Sequence, residues 1–300
     1  MKGYNYALQW KVAFTLASGL MIRSGLEGDF TDSSIEKDPC GRLHINGYVW
    51  ASLLHRALMR VKDGDKVAST IGKYVAEERG ISPLWTKSTF TELPETDVRP
   101  GNRIDRQYGT AAQTALFSDE LVPPGLLVNM EFTWFMKNDN EQEINEEKVS
   151  DLKCLISWAF RVISEGIETI GSGWSYGHGR LTVDSASCRE IALEEPKERK
   201  LLWDFSGNDF NNVPVPALQD IQIIRPWMKY KVTAKILEGQ LLAVHTSVPL
   251  FDEKRFKSYN KYPDAFVYQG YRFAKPLAIA DFTVNGLMAS LLSIISHRLL

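Results

Sequence analysis

The chain predicts an α+β fold on the split β-α-β plan of ferredoxin-like type, and three observations carry that expectation. Leu8, Trp10, Val12, Phe14 and Leu16 alternate with other residues, and Leu126, Val128, Met130, Phe132 and Trp134 do the same, which is the period of a half-buried strand. Each of these stretches leads, after a polar excursion, into apolar residues at helical spacing. The order strand, loop, helix then recurs near the C-terminus, and self-similarity of that kind bears on the whole architecture.

The first strand is expected over Leu8 to Leu16. Val12 to Ile22 follows Lys11 and has some character of a signal segment, but the alternation runs straight through Lys11 and favours the strand. A polar, Gly- and Asp-rich stretch covers Ser24 to His44. Asn46 suits a helix N-cap ahead of Val49, Trp50, Leu53, Leu54, Ala57, Leu58 and Val61. Lys62 to Glu120 is irregular and carries Pro83, Pro94 and Pro100, with one more strand expected near Ile104 to complete the sheet. After the strand at 126–134 comes an acidic run, Asp139 to Glu147, which suits the positive end of the next helix. Leu152, Leu155, Ile156, Ala159, Phe160 and Ile163 form that helix's apolar face. The stretch 171–180, GSGWSYGHGR, then leads into a short strand at Leu181 to Val183.

Residues 1–188 therefore read as one complete unit and 189–226, charged and then rich in Asn and Pro, as a linker. Residues 227–300 read as the N-terminal half of a second similar unit. W-K-V-A-F-T-L and I-N-G-Y-V-W-A-S-L-L in the first unit answer to Y-K-V-T-A-K-I and V-N-G-L-M-A-S-L-L in the second. The half-unit leaves Leu287, Met288, Leu291, Leu292 and Ile295 without a partner of their own. It is expected to pack on a neighbouring subunit or to be the remnant of a longer chain.

Composition narrows the function. The 35 Lys plus Arg against 37 Asp plus Glu give a net charge of −2, which argues against a histone-like binder but leaves a locally positive groove open. Cys40, Cys154 and Cys188 are scattered and form no CxxC pair, as for free thiols in a reducing compartment. No apolar run approaches the ~18 residues of a membrane span, so a soluble cytoplasmic protein without a membrane partner is expected. His44, His178 and His245 show no zinc-ligand spacing.

The glycine loop is the most specific motif. Gly171, Gly173, Gly177 and Gly179 permit positive φ and close backbone approach, and successive N–H groups in such a loop can cradle an anion. Trp174, Tyr176, His178 and Arg180 add stacking faces and positive charge suited to RNA. A tight helix-to-strand turn explains the same glycines. Asp32 fits either a loop cap or a functional carboxylate. Asp38 suits the cap of the turn Asp38-Pro39-Cys40-Gly41.

In four ordered blocks the sequence resembles the RAMP superfamily, proteins that form the backbone of type III CRISPR effector complexes. The blocks are the glycine loop, Thr31 to Asp38 with Ile45-Asn46-Gly47, the segment Arg103 to Ala111, and Leu116 to Gly125. The resemblance implies an RRM-like palm with an inserted thumb hairpin. It implies guide RNA (crRNA), target single-stranded RNA and other effector subunits as partners. Asp32 stands where catalytic members carry the loop aspartate that cuts target RNA with a divalent metal, Mg or Mn, so it is the implied catalytic and metal-binding residue. One carboxylate can hold a metal or orient a ribose 2′-OH. Asp264, in a similar loop of the second unit, is a second catalytic candidate. Gly171, Gly173, Trp174, Tyr176, Gly177, His178, Gly179 and Arg180 would bind RNA, with Arg103 and Arg106 at the thumb. In the first helix Ala51 replaces a lysine common in the family, and His55 and Arg56 are the substitutes. A non-catalytic backbone or capping subunit, or a stand-alone RRM-like RNA-binding module, are the alternatives.

Overall fold

The computed structural model describes residues 4–26, 31–71, 82–105, 110–137, 146–174, 177–224, 245–246 and 266–267; at 100, 102–105, 110–116, 245–246 and 266–267 it describes the backbone only. The elements are β1 (Tyr6–Leu16), β2 (Leu43–Ile45), α1 (Gly47–Leu58), α2 (Gly64–Ile71), β3 (Leu84–Thr86), β4 (Thr89–Thr91), β5 (Asp97–Asp105) and β6 (Thr110–Leu121). They continue with β7 (Leu127–Met136), α3 (Glu146–Ser164), β8 (Leu181–Ala192), α4 (Pro196–Arg199) and β9 (Asn211–Asn212).

Five strands form one antiparallel sheet in the order β3-β7-β1-β8-β9. The strand before α1 lies between the strands on either side of α3, an arrangement compatible with a ferredoxin-like fold. Leu8, Trp10, Val12, Phe14 and Leu16 of β1 are buried on the helix side. There Trp10 stacks on Phe132 at 6.0 Å, and Phe160 of α3 meets Trp10 edge-on at 5.4 Å. Phe14 stacks on Trp50 of α1 at 5.8 Å. Trp50, Leu53, Leu54, Ala57 and Leu58 form the buried stripe of α1. Full burial of each leucine in that stripe is worth roughly 1.5–3 kcal/mol.

Asn46 caps α1 as expected, its side chain accepting from the Tyr48 N–H at 3.2 Å. Gly47 is needed there for a different reason. A Cβ would lie 2.5 Å from the Thr86 carbonyl oxygen, so only glycine lets α1 sit against β3.

Three expectations need correction. The strand near Ile104 does not join the sheet: β5 pairs only with β6 as a separate hairpin, and β3 supplies the further strand. With three residues, β3 is too short to show a period. The expected unit boundary at 188 falls inside β8, which runs to Ala192. Beyond it, residues of the expected linker lie on the unit itself: Leu193, Leu202, Phe205 and Ile221 are buried, and the Val213 N–H bonds the Ala186 carbonyl at 2.9 Å. Of the expected second unit, only a two-residue ladder, His245–Thr246 against Phe266–Val267, lies within the described residues. No helix among the described residues is long and apolar enough to cross a membrane.

Candidate functional site

Residues 17–24, which leave the end of β1, hold the glycine loop on one side and the Asp32 loop with the root of the β5–β6 hairpin on the other. On the glycine side, Ala17 N–H bonds the Arg180 carbonyl at 2.9 Å, Gly179 N–H the Gly19 carbonyl at 2.8 Å, and Ser172 N–H the Met21 carbonyl at 2.8 Å. On the hairpin side, Leu20 and Val122 exchange two bonds of 2.9 Å, and Glu36 N–H bonds the Ile22 carbonyl at 2.9 Å.

Asp32 is exposed and anchored on Ser118 of β6. Its Oδ2 accepts from the Ser118 N–H at 2.6 Å and from the Ser118 hydroxyl at 2.9 Å, while its own N–H donates to the Ser118 carbonyl at 3.0 Å. The bond from the Ser118 backbone, and then that from its hydroxyl, hold the Asp32 carboxyl below its usual range. Oδ1 takes no hydrogen bond from another described residue. Next to it, Asp119 accepts from Arg23 at 3.1 and 3.2 Å. Glu120 accepts from the Ile35 N–H at 3.0 Å, Lys37 at 2.9 Å and Thr96 at 2.8 Å. Burial pushes the Glu120 carboxyl up, but these three donors outweigh it and the net shift is downward. The loop around Asp32 is thus fixed on the hairpin root, and Asp32 is the carboxylate it leaves at the surface. Asp38 caps its turn as expected, accepting from the N–H groups of Cys40 and Arg42 at 2.9 and 2.8 Å.

All four glycines of the loop have positive φ, from 76° to 81°. The close approach at Gly179 is internal. A Cβ there would overlap the Ile170 carbonyl oxygen, and one at Gly171 would overlap that of Met21. The N–H groups of Ser172, Gly177, His178, Gly179 and Arg180 are all spent within the protein, so this run of amides is not an open anion cradle. His178 is only 7% exposed. Burial first, and the nearby Arg99 charge second, bring its pKa down to about 4, so it is neutral at physiological pH. Trp174 by contrast is 73% exposed at the loop's tip. Arg180 lies along Gly166, 3.4 Å from the position of a Cβ there.

Arg56 is committed to the protein. It donates to Glu168 at 3.0 Å, to the Thr169 carbonyl at 2.7 Å and to Ser52 at 2.8 Å. Arg60 takes the other Glu168 oxygen at 2.7 Å. Together they clamp the chain just before the glycine loop to α1, and His55 stands beside them half-buried. The backbone of Arg103 lies towards the far end of β5, next to a register shift between Asn102 and Ile104. Tyr176, Arg106 and Asp264 lie outside the described residues. The structure therefore brings Asp32, the hairpin root and the glycine loop around one segment. Sequence reasoning missed Ser118, Glu168 and Arg60, because no spacing rule links them to residues so far along the chain.

The model of the RAMP superfamily matches residues 20–182, which contain the Asp32 loop, the hairpin and the glycine loop. The chain belongs to the RAMP superfamily. A search of curated proteins found no match. Membership makes this RAMP protein a CRISPR-associated RNA-binding protein that works in a multi-subunit complex. Among its described residues no three His, Cys, Asp or Glu side chains stand together as a metal cage.

Proposed function

We propose that the chain is a guide-RNA-binding backbone subunit of a type III CRISPR effector and that it cleaves target RNA at Asp32. The observation that carries this reading is the presentation of Asp32. Ser118 fixes one carboxylate oxygen at the root of the β5–β6 hairpin and leaves the other at the surface. In this reading the hairpin is the thumb that kinks the guide–target duplex, and Asp32 faces the kinked nucleotide.

Asp32 is ionised at neutral pH like any exposed aspartate, and its lowered pKa makes it a still weaker base. Its role is to hold negative charge at a fixed point and accept a hydrogen bond from the target's 2′-OH. The 2′ oxygen then attacks phosphorus in line as the bond to the 5′ oxygen breaks. The 2′ proton passes to water, the leaving 5′ oxygen takes a proton from water, and the products are a 2′,3′-cyclic phosphate and a 5′-OH. The surface oxygen of Asp32 would be the group that holds a Mg or Mn ion. Such an ion would neutralise charge on the phosphate. The exposed Trp174 supplies a stacking face for the guide.

The test is the assembled complex carrying Asp32→Ala, read on denaturing gels with labelled target. The cut assigned to this site should disappear while guide content and target affinity stay at wild-type levels. A complete cleavage pattern from the variant makes the chain a non-catalytic backbone or capping subunit. A remaining second cut that vanishes in an Asp264→Ala variant would assign that site to the C-terminal half.

A further inference from the structure

The outer face of the sheet, opposite α1 and α3, is the surface on which RRM-type domains stack bases. Here Asp204–Phe210 lies across it. Phe205 and Phe210 stack with ring centroids 6.4 Å apart and planes 26° apart. Lys87 sits 3.9 Å over the Phe205 ring. Lys11 and Arg189 sit 4.1 and 4.6 Å over the Phe210 ring. Asp209 makes a two-oxygen pair with Arg189 at 2.6 and 2.8 Å. The Asp204 carboxyl, held by Ser206 and also facing the Arg189 and Lys11 charges, is kept below its usual range. Two stacked rings, each following a carboxylate in the chain and together resting on three cations, reproduce the chemistry of a short single-stranded RNA on a basic platform. Glu131 also pairs with Lys87, at 3.1 Å, so the face is not purely cationic.

The attachment of this segment is uneven. Leu193 and Leu202 pack into an apolar cluster with Ala7, Phe135 and Ile191. Asn211–Asn212 pairs with Ser187 and Cys188 of β8. Between these two anchors, Ser206, Asn208 and Asp209 are exposed, and much of the hold is ionic or cation–π. Lifting the bridge would leave both anchors in place but would take Asp209 and the Asp204 carbonyl from Arg189 and uncover Phe205, so it needs a polyanion that replaces those acceptors.

We propose that the outer sheet face is a second site for single-stranded RNA and that Asp204–Phe210 closes it in cis as an internal stand-in for the nucleic acid. This inference does not depend on cleavage at Asp32. The test uses the full chain and labelled oligouridylate in fluorescence anisotropy at low salt. Phe210→Ala and Asp209→Asn, which loosen the bridge, should each bind about ten-fold more tightly than wild type, the range one freed stacking position supplies. The gain should disappear when Lys11→Ala is added, and at high salt. Asp209→Asn keeps the segment's shape and carries the test if Phe210→Ala fails to fold. Folded variants that bind no more tightly, or a gain that survives Lys11→Ala, would overturn the proposal and leave the segment a structural cover. Cutting by the assembled complex is read separately, so loss of the Asp32 reading and loss of this one give different results.

Discussion

His178 is packed against Gly173 within the glycine loop, and its low pKa has a consequence for stability. The unfolded histidine takes up a proton near its ordinary pKa of 6.5, whereas the folded one resists until about pH 4. Between those values the unfolded state binds more protons, so stability rises with pH and is lost as pH falls from 6.5 towards 4. The full shift corresponds to a loss on the order of 3 kcal/mol. Urea midpoints measured from pH 7 to 4.5 should fall less steeply for His178→Gln than for wild type; equal slopes would place the titration elsewhere. Glu168 offers a second test. Its side chain is 10% exposed and accepts from both Arg56 and Arg60, so Glu168→Ala removes a buried acceptor from two guanidinium groups. The expected cost is about 1–3 kcal/mol in a urea titration. At this scale the sequence showed which residues have RNA-compatible chemistry. It did not show that Arg56 and His178 are occupied by the fold, because the Glu168 carboxylate that takes Arg56 and the packing that buries His178 come from residues remote along the chain.

The elements that could be read were those with a period. β1, β7, α1 and α3 fall where alternation or helical spacing placed them, because one face of each is buried against the others. What could not be read was β3, with three residues, and the separation of the β5–β6 hairpin from the sheet, which depends on pairing partners rather than on composition. The glycine loop was visible, but its glycines serve the fold before any ligand. Gly179→Ala forces a Cβ onto the Ile170 carbonyl oxygen at a φ of 76°. It should lower the thermal midpoint sharply, and any loss of guide RNA would follow from that. Trp174→Ala separates the two roles. With 73% of the residue exposed, the substitution should leave the melting curve within error of wild type. Guide RNA recovered with the purified complex should nevertheless decrease. Unchanged guide content in Trp174→Ala would make the exposed ring irrelevant to RNA.

At the scale of the whole molecule, the segment after β8 changes where the unit ends. Composition suggested a linker over 189–226, since charged residues, Asn and Pro leave little apolar patterning to detect. The few apolar residues that matter, Leu193, Leu202, Phe205 and Ile221, are too widely spaced to show a period, yet each is buried. The return path is fixed by hydrogen bonds as well. Lys62 N–H bonds the Gln222 carbonyl at 2.8 Å, and Ile224 N–H bonds the Arg60 carbonyl at 2.9 Å, which ties the segment's far end to the turn after α1. Arg189, 3% exposed, needs the segment too: Asp209, the Leu201 carbonyl and the Asp204 carbonyl all accept from it, beside Gln9. Without the segment a buried guanidinium would lose most of its acceptors, a change that costs several kcal/mol. Limited proteolysis checks the boundary. A protease needs a locally opened stretch of backbone, so Asn208–Pro216 should resist low protease concentrations and remain joined to 1–192. Adding excess oligouridylate should expose Ser206 to Asp209 to cleavage if RNA lifts the bridge between its anchors. Early cutting within 208–216 in the absence of RNA would show instead that the segment does not hold the sheet face closed.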